Sequence, residues 1–154
     1  MLPLRPNACL LIVNEENKIL LAERAGSPGV WQFPQGGLGG DDVISGALRE
    51  AHEELGVPVE YFEVLHVLKV QHSYEFKVIP PHCQGKWRGQ HQHYVILRYL
   101  GKDSEISLDC YEQELSSWRW CTIEEIRDLA EPIRLEGYEK AFAEIKECGY
   151  PYGR

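Results

Sequence analysis

Residues 36–56, GGLGGDDVISGALREAHEELG, join a glycine-rich turn to a stretch of helical periodicity, and no other segment constrains the fold as much. At about 100° per residue, Glu50, Glu53 and Glu54 share an arc of roughly 100°. Ile44, Leu48, Ala51 and Leu55 form a separate apolar stripe, so a helix here docks one side on a core and presents three carboxylates elsewhere. The spacing predicts a helix from about Asp42 to Leu55, with Asp41 or Asp42 capping its first amides and Gly56 and Pro58 ending it. Crowded negative charge is costly unless a cation offsets it, and a hard divalent ion with oxygen ligands suits the task. The ordinary alternative for an ExxEE pattern is a solvated surface face. Here four glycines in five residues let the preceding backbone approach a ligand, and Arg49 adjoins the first carboxylate.

A chain of 154 residues can bury a substantial core in one domain, taken here as residues 1–154. No stretch approaches the ~20 apolar residues that cross a bilayer, and the first residues lack a charged region and cleavage site. A cytoplasmic location without membrane contact is the expectation. Five widely spaced cysteines without a CxxC pair do not suggest a disulfide framework, and His82-Cys83 with His91 and His93 fits no familiar zinc spacing. The net charge of −8 argues against wrapping along a nucleic-acid backbone. Yet residues 66–98 hold five Lys/Arg against one acid, +4 locally, which leaves −12 for the rest. A small basic segment beside an acidic helix suits a compact polyphosphate end.

Ala8–Val13 and Lys18–Ala22 read as strands of a hairpin turned by Asn14-Glu15-Glu16-Asn17. Trp31–Phe33, Val64–Val70, Tyr94–Leu100 and Ser117–Cys121 read as further strands, with a long loop over Ile79–Gln92. Thr122 to Glu125 is a capping box opening one helix, and a last helix spans about Leu135 to Glu147, stopped by Gly149 and Pro151. Trp31, Phe33, Trp118 and Trp120 alternate along strands and are expected in the core. The expected fold class is α/β: a single domain with a mixed sheet and helices on its faces.

Gly36, Arg49, Glu50, Glu53, Glu54 and Gly56 resemble the Nudix box, G-x5-E-x7-R-E-U-x-E-E-x-G-U with U apolar, here spanning about residues 36–57. Two features depart from it. Ala51 is a small residue for U, and Asp41 stands where the helix spacing calls for Glu, leaving the loop from Gly36 one residue short. Asp42 keeps the loop count instead but shortens the helix spacing. Arg5-Pro6-Asn7, WQFPQGG (31–37), WRGQHQHY (87–94) and an acid four residues before Trp118-Arg119-Trp120 look like the family's bacterial RNA 5′-pyrophosphohydrolase and diadenosine polyphosphate hydrolase branch. The resemblance covers about Arg5 to Ile145.

That resemblance implies a three-layer α/β/α sandwich and a hydrolase of phosphoanhydrides that uses Mg²⁺, or Mn²⁺. Glu50, Glu53 and Glu54 match its metal ligands, joined by the carbonyl of Gly36 or Gly37, and Arg49 matches the residue that holds the first carboxylate. Either Glu53 or the more distant Glu114 serves as general base, and Glu114 matches a loop acid used for metal binding or catalysis. Arg5 matches an arginine of the nucleotide pocket, Arg24 one lying against a base, and Ile133 stands where the family places a stacking aromatic. Gln35, Tyr74, Lys86, Arg88, Gln90 and Gln92 are the remaining substrate-binding candidates, with loop solubility as the alternative for the last four. The expected substrate is an RNA 5′-triphosphate end, cut to a monophosphate and pyrophosphate. The alternatives are diadenosine tetraphosphate, cut to ATP and AMP, and a non-catalytic module that binds nucleotides or RNA ends. A monomer or weak oligomer is expected.

Overall fold

The structure is a computed structural model that describes residues 1–111 and 113–149. Its strands are β1 (Leu4–Val13), β2 (Ile19–Arg24), β3 (Trp31–Gln32), β4 (Gln35–Gly37), β5 (Phe62–Glu75), β6 (Gly89–Tyr99) and β7 (Leu115–Cys121). Its helices are α1 (Val43–Leu55), α2 (Ile123–Leu129) and α3 (Pro132–Cys148). The sheet is mixed. Its main path runs β3-β2-β1-β6-β5, with β4 also paired to β1 and β7 to β2.

β1 lies parallel to β6 over its whole length, which explains why Ala8 to Val13 is an unbroken apolar run rather than an alternating one. Its side chains divide by parity. Ala8, Leu10 and Ile12 pack with Ala47, Ala51 and Leu55 of α1, while Cys9, Leu11 and Val13 pack with Tyr138, Ala141 and Ile145 of α3. The sheet therefore separates two cores, one closed by α1 and the other by α3 together with Ile126 of α2. The hairpin turn is as the sequence suggests: Asn14 Oδ1 accepts from the amides of Glu16 and Lys18, both at 3.0 Å, and Asn17 adopts φ +61°.

Three expectations need correction. The long loop covers only residues 76–88, because β5 continues to Glu75 and β6 begins at Gly89. Gln90 and Gln92 are buried strand residues, and alternating Gln and His hid the strand behind polar chemistry. Gly89 permits the pairing to continue, since a Cβ there would lie 2.0 Å from the Tyr74 carbonyl oxygen. Second, only Phe33 of the four aromatics is fully buried; Trp31 flanks the α3-side core, and Trp118 and Trp120 flank the α1-side core. Third, α3 starts at Pro132, since proline's fixed φ and missing N–H suit a first helical turn. It ends at Gly149, with φ +78°, and Pro151 lies outside the described residues. Among the described residues, no helix is long and apolar enough to cross a membrane.

α3 is fastened to the sheet by Glu144. Its carboxylate accepts from the backbone amides of Lys69 and Val70 and from His66 Nε2, at 2.8–2.9 Å. These amides are available because β5 is irregular against β6 between Val67 and Gln71. Replacing Glu144 by Leu strands buried donors, so the expected loss is about 2–4 kcal/mol in urea unfolding. A loss below about 0.5 kcal/mol would show that the fastening is idle.

Candidate active site

The two adjacent aspartates divide the work at the start of α1. Asp42 is the N-cap, its Oδ1 accepting from Ser45 N at 2.8 Å, and these bonds hold its carboxyl below the usual range. Asp41 accepts instead from Arg49 Nε at 3.0 Å. Arg49 extends this contact in three directions. Nη1 lies 3.0 Å from Glu50 Oε1 and 3.6 Å from Glu53 Oε2, and Nη2 donates to the carbonyls of Gly37 and Leu38 at 3.0 and 3.2 Å. A shortened loop with Asp in place of Glu is thus still braced to the helix.

β4 brings this loop against α1 and shows why two glycines are needed in succession. A Cβ on Gly36 would sit 2.0 Å from Glu50 Cδ, so the carboxylate lies directly on the strand backbone. A Cβ on Gly37 would sit 2.5 Å from Arg5 Nε, on the opposite face. The Gly36-Gly37 segment is a thin partition between a carboxylate cavity and a polar wall.

On the α1 side, Glu50, Glu53, Glu54 and Glu114 line a cavity of about 100 Å³ with Leu108, Tyr111 and Leu115. Glu114 reaches it from the loop ahead of β7, whose path is held by three contacts. Ser107 N donates to Leu55 O at 2.8 Å, Ala25 N donates to Glu114 O at 2.9 Å, and the Tyr111 hydroxyl lies 2.8 Å from His52 Nε2. His52 Nδ1 lies 2.7 Å from the Val57 carbonyl, which can only accept, so Nε2 of the neutral ring accepts from Tyr111.

Burial pushes the Glu50 carboxyl up to about 7; Arg49 opposes that rise, and Glu53 and Glu114 add to it. Glu54 is pushed well above the usual carboxylate range by burial and by hydrogen bonding with Glu114. One guanidinium therefore faces more carboxyl groups than it can neutralise. A divalent ion with oxygen ligands fits this donor set, displacing protons that burial retains.

On the α3 side, Gln90 Nε2 donates to the Tyr74 hydroxyl at 2.9 Å, and Gln92 Nε2 donates to Gln35 Oε1 at 2.6 Å. Arg134, absent from the sequence-derived candidates, completes this wall. Its Nη1 lies 3.3 Å from the Tyr74 hydroxyl, its Nε donates to Glu131 at 2.9 Å, and its side chain is only 8% exposed. The overlooked signal was an arginine in phase with Gly137, Tyr138 and Ala141 on the buried face of α3. Among the described residues, Asn7 Oδ1 and Gln90 Oε1 are buried here without a partner. Arg88 Nη1 is likewise unpartnered, and its Nε has only a 3.4 Å ion-pair contact with Glu75.

Other candidates stand apart. Lys86 is exposed on the loop, and Arg24 is exposed at the end of β2 with no side-chain partner among the described residues. Ile133 is half-buried in the first turn of α3. Cys83 is buried, and His91 is engaged by Gln71 at 2.7 Å and by Ser73, so these do not pool into a zinc site with His82 and His93.

The sequence model of the NUDIX domain family matches residues 3–141. The chain belongs to the Nudix family. It is therefore a hydrolase of pyrophosphate bonds, with the metal-using chemistry general to Nudix enzymes. It is 34% identical over 150 residues to the RNA pyrophosphohydrolase of Pelagibacter ubique, covering 95% of this chain and 94% of the relative. The RNA pyrophosphohydrolase of Novosphingobium aromaticivorans is 34% identical over 152 residues, with 95% and 94% coverage. Solved Nudix-like structures share the fold. A C. elegans Ap4A hydrolase complex matches with TM-score 0.65 and 19% identity over 92% of this chain and 98% of that one. The MutT protein of Methanosarcina mazei matches with TM-score 0.67 and 21% identity over 94% and 97%.

The raised carboxyls of this Nudix site make two outcomes measurable. A folded-state pKa above the unfolded value stabilises the fold fully below the unfolded pKa and loses that contribution as pH rises through the folded one. The melting temperature of metal-free protein should fall as pH rises from 4.5 through about 7, and Glu50→Gln should flatten that fall. Calorimetric Mg²⁺ titrations near neutral pH, in buffers of different ionisation enthalpy, should show about one to two protons released. Binding without proton release would contradict the charge balance described above.

Proposed function

We propose that this enzyme is a Mg²⁺-dependent RNA pyrophosphohydrolase that accepts Mn²⁺, converts triphosphate-ended RNA to the 5′-monophosphate and releases pyrophosphate. The observation carrying this reading is the juxtaposition, across Gly36-Gly37, of a carboxylate cavity and a wall that carries the guanidinium groups of Arg5, Arg88 and Arg134. A phosphate chain crossing that partition meets the hydrolytic groups on one side and these guanidinium groups on the other. Relatives named as RNA pyrophosphohydrolases, aligned over nearly the full chain, support the choice of substrate.

In this reading Glu50, Glu53, Glu54 and Glu114 hold the cations, with the Gly37 carbonyl as a further ligand. When bound, the ions neutralise phosphate oxygens, acidify water and stabilise the departing pyrophosphate. Arg49 keeps Glu50, Glu53 and the loop carbonyls in register. Glu53, 40% exposed on the solvent side of the cavity, accepts the proton of the attacking water. Glu114 closes the opposite wall and steadies Glu54. The water oxygen bonds to phosphorus as the bridging oxygen leaves with pyrophosphate. Arg5, Arg134, Tyr74, Gln35 and Gln90 grip the phosphate chain and its ribose, with Gln92 holding Gln35 from beneath and Lys86 and Arg88 at the rim. Arg24 and Ile133 flank the base. A cytoplasmic location belongs to the same reading, since all five cysteines are free as a reducing compartment would keep them, and a monomer or weak oligomer is proposed with it.

The second reading, cleavage of diadenosine tetraphosphate to ATP and AMP, rests on the same cavity and on the fold shared with an Ap4A hydrolase. Pure protein assayed side by side on triphosphate-ended RNA and the dinucleotide separates the two. RNA left intact while the dinucleotide turns over would overturn the preferred substrate. Glu53→Gln is expected to lower kcat about 10³-fold with ligand affinity retained. Absent turnover in the parent would instead point to a binding module. Arg134→Met is expected to raise KM for RNA about 10- to 100-fold, with a smaller effect on kcat. Equal losses in kcat and kcat/KM would move Arg134 from ground-state binding to the reacting phosphate.

A further inference from the structure

A second gathering of metal-ligating side chains lies on the α3 side of the sheet, in the layer opposite α1. Glu144 and Cys148 stand one helical turn apart on α3, and His66 faces them from β5. One ligand atom from each lies within 4.8 Å of the other two. His66 Nε2 and Glu144 Oε2 are 2.9 Å apart. The Lys69 and Val70 amides fix the carboxylate, so one ligand is oriented before any ion arrives. Cys148 is exposed in the last turn of the helix, where the terminal carbonyls favour positive charge.

We propose that His66, Glu144 and Cys148 bind one thiophilic divalent cation of the zinc class, with water completing the tetrahedron. Zinc bonds of about 2.0 Å to nitrogen and oxygen set those atoms roughly 3.3 Å apart at the tetrahedral angle. The observed 2.9 Å needs only slight opening. A zinc–sulfur bond of about 2.3 Å sets sulfur roughly 3.6 Å from each, inside the 4.8 Å within which the three ligand atoms now lie. Imidazole and thiolate select zinc over magnesium, which prefers oxygen ligands, so the two sites discriminate by ligand type. Binding replaces the proton now shared between His66 Nε2 and Glu144. The imidazole proton moves to Nδ1, the Cys148 thiol proton is released to solvent, and Glu144 keeps its backbone bonds. The ion clasps the end of α3 to β5 and does not depend on the hydrolase reading.

The test uses Co²⁺ as a spectroscopic probe on the full chain, with excess Mg²⁺ present to occupy the carboxylate cavity. A sulfur-to-cobalt charge-transfer band is expected in the parent and in Cys110→Ser, which alters the other exposed cysteine. The band should vanish in Cys148→Ser. In His66→Gln, whose amide can still donate to Glu144, affinity should fall at least about 10-fold. Glu144 stays unaltered, since its loss loosens the fold itself. One equivalent of Zn²⁺ should raise the melting temperature of the parent and leave that of Cys148→Ser unchanged. A parent without the band, a band that survives in Cys148→Ser, or a melting temperature indifferent to zinc would each reduce the cluster to a structural hydrogen bond.

Discussion

The organisation of the site depends on how Arg49 manages crowded negative charge. Its guanidinium touches Asp41, Glu50 and Glu53 and the carbonyls of Gly37 and Leu38, joining the loop, the helix start and the carboxylate face. A planar group with five donors can make these bonds at once, which a lysine ammonium cannot. The single charge still falls short of the carboxyls around it; burial lifts Glu50 and Glu54, and the neighbouring carboxyls add to that rise. The site is poised for added positive charge because its own supply is insufficient.

Period-two geometry links this charge to the rest of the molecule. Along β4, Gly36 faces α1 and Gly37 faces the α3 side, so adjacent residues serve different compartments. The same parity along β1 divides the hydrophobic core into two clusters. The partition is one backbone thick only because neither glycine carries a Cβ. It sets the carboxylates of α1 and the buried polar wall near Arg134 back to back across one strand, the arrangement on which the proposed substrate reading rests. The zinc-class cluster uses the same architecture differently, drawing on an irregularity in β5 rather than on a missing side chain.

Legibility varied with the kind of interaction. The carboxylate face of α1 was readable because helical phase depends on local geometry alone. The hairpin at Asn14 and the capping box at Thr122 were readable for the same reason. Strand β6 was partly hidden, since Gln90 and Gln92 carry polar groups on a buried face and mimic a loop. Arg134 was missed because an arginine on a helix resembles a solvated charge until a partner strand covers it with Tyr74. Glu144 gave even less warning, because its partners are backbone amides about 75 residues away.

Sequence alone determined the family, the helix that carries the carboxylates and the need for a flexible turn ahead of it, because each rests on contacts between residues close in the chain. It left open whether Asp41 or Asp42 caps the helix, and the folded loop decides for Asp42 by giving Asp41 to Arg49. Only tertiary structure brought Glu114 to Glu54, set Arg134 over Tyr74 and joined His66 to Glu144 and Cys148. Those pairings close long loops, and long-range closure is set by the packing of the whole sheet rather than by any local pattern.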